Sequence, residues 1–127
     1  MNSKIKSFKG ACKYLQLNPD KVLPKVTGVP KHHQSALLAH AQLVIIAEAL
    51  NKEANGGKPW KPDWKNNQWD KYYPWFDMSS GSGLRFIVYD YQISISTVSS
   101  RLCFINREVA EYAGTKFLKL YEQYFLL

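Results

Sequence analysis

The chain has 127 residues, enough for one domain with an ordinary buried core and no need of a metal or disulfide framework. Its 46% hydrophobic and 21% charged residues are those of a folded protein, and they argue against a disordered one. The net charge of +7 favours anionic partners, although a solvated lysine surface that only aids solubility is the plainer reading.

The charge is uneven. Residues 1–47 hold seven Lys against Asp20 alone, residues 48–77 cancel, and residues 78–127 leave +1. The opening MNSKIKSFKG has no apolar h-region, so no signal peptide is expected. The apolar run 36–50 is too short to span a bilayer and contains His40, Gln42 and Glu48. A soluble intracellular protein is the expectation, not secreted and without a membrane partner. Cys12 and Cys103 lie in apolar surroundings, where cysteine is mostly a small buried hydrophobe, and a reducing compartment fits them.

In chain order, Ser7 to Leu17 reads as a short amphipathic helix ended by Asn18-Pro19-Asp20. Residues 21–30 hold two prolines and Gly28 and should be irregular. A long helix is predicted over Lys31–Lys52, with Pro30 in its first turn and Asn55-Gly56-Gly57 as its stop. Its middle, ALLAHAQLVIIAEAL, is apolar around most of its circumference, which marks a central core helix.

Lys58 to Phe76, KPWKPDWKNNQWDKYYPWF, holds all four tryptophans among three prolines and charges of both signs. It reads as an aromatic loop with one helical turn near Asn66–Lys71, followed by a flexible Ser79–Gly83 turn. Leu84–Ile95 reads as a strand with Ile87, Tyr89, Tyr91, Ile93 and Ile95 on one face. After a polar turn at Ser96–Ser99, Val98, Ser100, Leu102 and Phe104 suggest a second strand pairing back as a hairpin. Asn106 is a good N-cap for a last helix with a stripe from Val109 to Tyr124. Gly114 inside that helix costs about 1 kcal/mol relative to Ala, which invites a close packing contact there. The fold class is therefore α+β. Two N-terminal helices and a C-terminal helix pack on a short antiparallel hairpin or sheet, and the Pro-rich aromatic loop closes an edge.

Signals for catalysis are sparse. No nucleophile elbow, phosphate loop or dinucleotide fingerprint is present. His33 and His40 share a helix face but sit seven residues apart, roughly 10 Å along the axis, too far for one metal. Asp63, Asp70 and Asp77 are the carboxylates of the aromatic stretch, and each has a nearby lysine or a turn to cap. No metal or other cofactor is expected, and a binding role is favoured over catalysis.

Rings interleaved with cations suit a base-containing anion, since bases stack on rings and cations hold phosphate. In that reading Trp64, Trp69, Tyr72 and Tyr73 stack while Lys71, Arg85 and Arg101 hold phosphate. The same pattern describes a proline-rich cover that lays its rings on the core. It also suits a protein interface, where Trp, Tyr and Arg dominate the energetics.

The order PDWKNNQWDKYYPWF, a Gly-Ser turn, RFIVYDY, SRLCF and EVAEYAGTKFLKLYEQY resembles a group of small proteins of phages and prophages of gut Bacteroidales. The match covers about residues 62–127. The group has no established activity, so no functional residues carry over. The resemblance implies a phage-type accessory protein in the bacterial host cytoplasm or the virion. Such a protein would sequester a nucleotide signal of host defence or coat short single-stranded nucleic acid. The alternatives are a protein–protein module, as a phage structural component or an inhibitor of a host protein, and a small hydrolase using one of the three aspartates. A homo-oligomer is compatible with the pattern.

Overall fold

A computed structural model describes residues 1–67, 70–79, 85–92 and 98–127, with backbone alone at 90 and 92. The first helix, α1 (Phe8–Tyr14), starts where the Ser7 hydroxyl accepts from the Gly10 N–H at 3.0 Å. It stops earlier than Asn18-Pro19 would require. Gln16 adopts φ 59° and the Leu17 N–H reaches back to the Cys12 carbonyl at 2.8 Å, closing the last turn.

The second helix, α2 (Lys31–Ala54), begins directly after Pro30 and ends in the same kind of closure. Here Gly56 takes φ 69° and Gly57 donates to the Lys52 carbonyl. Leu43, Ile46, Ala47, Ala49 and Leu50 of α2 are buried in the main core, joined by Ile5, Phe104, Val109, Ala110, Ala113 and Phe117. Asn51 is also buried. Its amide N–H donates to the Cys103 carbonyl and its oxygen accepts from the Ile105 N–H, both at 2.9 Å. One side chain thus satisfies two backbone groups of a segment with no ladder of its own. The N-terminus is fastened to α2 by the Ser3 hydroxyl donating to the Glu53 carboxylate at 2.6 Å.

The sheet corrects the expected hairpin. Its strands are β1 (Lys71–Asp77) and β2 (Arg85–Gln92), antiparallel, with Tyr72 opposite Tyr91 and Pro74 opposite Tyr89. The tail of the aromatic stretch is therefore a strand. Prolines argued against that, but Pro74 sits where it does no harm. Tyr72 exchanges backbone hydrogen bonds with Phe104, so its polar groups face away from β2. Pro74, two residues on, faces the same outer edge, where its missing N–H removes nothing from the β1–β2 ladder. Residues 98–104 do not form the second strand. Ser100–Leu102 make a 3-10 turn capped by Ser99, and only Phe104 forms an isolated bridge.

A bulge between Trp75 and Phe76 breaks the expected face of β2. Ile87 and Tyr91 are exposed while Phe86 and Tyr89 are half-buried. Leu84, Ile93, Ile95 and the Ser96–Thr97 part of the polar turn lie outside the described residues, as do Gly81 and its neighbours in the glycine-serine turn. Of the predicted turn at Asn66–Lys71, residues 68 and 69 also lie outside them. The turn that is seen lies just before, where Asn66 donates to the Asp63 carbonyl.

The last helix is two helices, α3 (Arg107–Lys116) and α4 (Leu118–Phe125), not one. Asn106 caps α3 as expected, accepting from the Val109 N–H at 2.9 Å. Near the end of α3 the Thr115 hydroxyl donates to the Glu111 carbonyl, a competing bond that bends helices, and the chain turns at buried Phe117. Gly114 is where the close approach occurs. A Cβ there would lie 2.6 Å from Phe86 Cδ2 and 2.7 Å from Pro74 Cβ, so α3 seats directly on the sheet. The architecture is mixed α+β: among the described residues, four α-helices and a two-stranded antiparallel sheet. Among the described residues no helix is long and apolar enough to cross a membrane.

Candidate functional site

The strand β1 sorts the aromatic residues that the sequence grouped together. Lys71 is fully buried, and its ammonium donates to the Asn66 carbonyl at 2.8 Å. The Trp64 ring lies 5.3 Å from that ammonium, and the Trp64 indole N–H donates to the Ser100 hydroxyl at 2.6 Å. These two residues form an internal clasp from the loop to the 3-10 turn. Lys71 was expected to hold phosphate, but burial closes its ammonium to an external anion. Tyr72 is half-buried against Tyr89 and Tyr91, with ring centroids 5.6 and 6.1 Å away. Burial raises its pKa, and the Asp70 carboxylate that accepts from its hydroxyl raises it further.

Tyr73 is buried. Arg85 is exposed and pairs with Asp77 at 3.2 Å. Arg101 is exposed on the 3-10 turn. Trp69 lies outside the described residues. Lys71 and Asp77 are the two ends of β1, roughly 20 Å apart at strand rise, so Lys71 and Arg85 cannot grip one phosphate. The structure thus joins Trp64 with Lys71 and leaves Arg85 at the far end of the strand pair.

The three candidate carboxylates have local partners. Asp63 accepts from the Lys65 N–H, Asp70 from the Tyr72 hydroxyl, and Asp77 from Ser79 and Arg85. The Ser79 hydroxyl and N–H, with Arg85 behind them, hold the Asp77 pKa below the usual carboxylate value. Burial pushes the Cys103 thiol up to about 11, and the thiol donates to the Ser100 carbonyl. A thiol so held is poorly nucleophilic at neutral pH. Among the described residues no group of three or more His, Cys, Asp or Glu is placed to hold a metal ion.

What the structure assembles instead is an aromatic groove of about 340 Å³ between β1 and α4. Tyr73, Phe76, Tyr121 and Tyr124 form much of its wall, Val98 and Leu102 reach it from residues 98–102, and among the described residues no lining side chain carries a charge. Three of its large side chains stand open: Trp75 is 58% exposed, Met78 54% and Phe125 42%. Phe76 ties the wall together, with ring centroids 4.9 Å from Tyr121 and 5.6 Å from Phe125. Burial keeps the Tyr121 hydroxyl neutral by raising its pKa well above the ordinary value. The sequence reading missed Trp75, Met78 and Phe125 as site residues. Their only signal was the local density of aromatic residues and the helical stripe through Tyr121 and Tyr124.

No family model, curated protein or solved structure matches the chain.

Proposed function

We propose that this protein is a non-enzymatic binding module that receives apolar side chains of a protein partner in the groove between β1 and α4. One observation carries the reading: the groove wall is aromatic and uncharged, and Trp75, Met78 and Phe125 are exposed at it. Large exposed aromatic residues beside a pocket are the usual energetic centre of a protein interface. A phosphate-bearing ligand needs a cation at the site, and none lines the groove among the described residues. The chain's charge of +7 favours a partner with acids around its apolar anchor. In the phage context implied by the sequence resemblance, that partner is a host protein or a structural component.

A second reading rests on a different observation. The Arg107 guanidinium sits 5.7 Å from the Tyr89 ring centroid, beside Tyr72 and the 52% exposed Tyr91. Rings next to a cation suit a nucleotide signal or short single-stranded nucleic acid.

One experiment separates the two. A displayed random peptide library is panned against the protein, and an oligo(dT) strand is titrated in parallel from low to high salt. Under the first reading the selected peptides carry apolar anchors flanked by acids. The joint substitution Trp75→Ala and Phe125→Ala then weakens them about 30-fold or more. Selected peptides that ignore this substitution would overturn the reading. Tight oligo(dT) binding that falls steeply with salt and is lost in Arg107→Ala would install the second in its place.

A further inference from the structure

The long helix raises a problem that the aromatic groove does not solve. It is apolar nearly all round, as a fully enclosed helix is, yet it is enclosed only along part of its length. Leu43, Ile46, Ala47, Ala49 and Leu50 are buried against the other helices and the 3-10 turn. From its first half into its middle another stripe, Leu37, Ala41, Val44 and Ile45, borders a second groove of about 450 Å³. Leu37 is 44% exposed, and Ala41, Val44 and Ile45 are only half-buried. The opposite wall is the irregular segment 22–29, which contributes Val22, Val26 and Val29.

Charge around this groove is mainly basic. Lys25 lines it, and Lys21 and Lys31 are exposed at the ends of the bordering segment. Asp20 is the only acid in residues 1–47; of the acids of α2, Glu48 is exposed one turn past Val44 and Ile45, and Glu53 is engaged by Ser3. A second copy of this chain would bring lysines against lysines, which disfavours self-association through this face. Nucleic acid would find the cations but not the stacking surface, because the walls are aliphatic apart from His40. An aliphatic trough with a basic margin matches an amphipathic segment whose apolar stripe is flanked by acids.

We infer that this trough between α2 and segment 22–29 is a second docking surface, and that its occupant is an acidic amphipathic helix of another protein. The site is distinct from the aromatic groove and adjoins it. His40 lines the trough and stacks on Tyr124 of the aromatic groove at 4.6 Å and 27°. A pair of rings is thus the wall common to both, and one partner can reach across it.

The test uses the full chain and a synthetic helical peptide with Leu at i, i+3, i+4 and i+7 and Glu elsewhere. A second peptide carries Lys in place of Glu, and oligo(dT) serves as competitor. The acidic peptide is expected to bind and to shift the NMR signals of Leu37, Ala41 and Val44. Leu37→Glu should weaken it about tenfold. Lys21→Glu with Lys25→Glu should weaken it several-fold and improve the Lys peptide. Leu37 and the two lysines are exposed, so these variants keep the fold. Trp75→Ala should leave this binding unchanged, which separates failure here from failure of the aromatic reading. Any of four results overturns the inference: no binding, equal binding of the two peptides, displacement by oligo(dT), or a dimer that sedimentation shows to be dispersed by Leu37→Glu.

Discussion

The seam between α2 and residues 102–105 and the rim of the aromatic groove are both built from unusual residues, with opposite consequences. At the seam a polar side chain, Asn51, is buried and fully bonded. At the rim a large apolar side chain, Trp75, stands in water. The first arrangement belongs to the fold, because removing it strands backbone groups inside the core. The second contributes little to the fold and is open to a partner. Burial of the wrong polarity points to structure here, and exposure of the wrong polarity points to binding.

Four measurements sharpen or break that contrast. The largest effect is expected from Asn51→Ala, which leaves the Cys103 carbonyl and the Ile105 N–H buried without their side-chain partner. Chemical denaturation should show a loss of about 2–5 kcal/mol. A loss under about 1 kcal/mol would mean that the seam is not a structural lock.

Gly114→Ala comes next. Its new methyl meets Phe86 and Pro74, and an overpacking cost of about 1–3 kcal/mol should outweigh the gain in helix propensity of about 1 kcal/mol. A raised melting temperature would show that the Phe86 ring yields and that α3 is not tightly seated. Trp75→Ala should change stability by about 0.5 kcal/mol or less, as exposed sites do. A substantial loss of stability would turn the rim into part of the core and remove the contrast.

The smallest effect concerns Asp77 at the end of β1. Its folded pKa lies below the ordinary value of 3.8, chiefly through Ser79 and then through Arg85. A depressed carboxylate adds stability that is complete above the unfolded pKa and lost as pH falls through the folded one. An NMR titration should return the pKa toward 3.8 in Ser79→Ala, and by less in Arg85→Ala. The reverse order would make the ion pair the dominant cause.

Much of the helical frame was legible because its signals are local. The Asn106 cap, the Gly56-Gly57 stop and the close approach at Gly114 each follow from one residue type in one place. The strand β1 was hidden by Pro74, whose tolerance depends on which edge its nitrogen faces, and only the Tyr72–Phe104 exchange reveals that. The split at Phe117 arises from a hydroxyl back-bond that no periodicity records. The charged half of the proposed ligand platform failed to assemble for a similar reason. Lys71 looks like its exposed neighbours in the sequence, and only the fold buries it behind Trp64. The aromatic groove draws on β1, residues 98–102 and α4, so no single window of sequence contained it.

The Tyr112 hydroxyl donates to the Ile5 carbonyl at 2.6 Å, across a separation of 107 residues. Translation delivers Ile5 long before Tyr112. Helices α1 and α2 are adjacent in the chain, joined by residues 15–30, and can form while the rest is still being made. The core around Ile5 cannot, because α3 supplies Val109, Ala110 and Ala113 to it. Until α3 has been made the chain therefore carries Leu43, Ile46 and Leu50 without their final cover, and completing this core takes a long-range closure. Time spent in that half-built state, rather than the strength of any one contact, sets its exposure to chaperones and proteases.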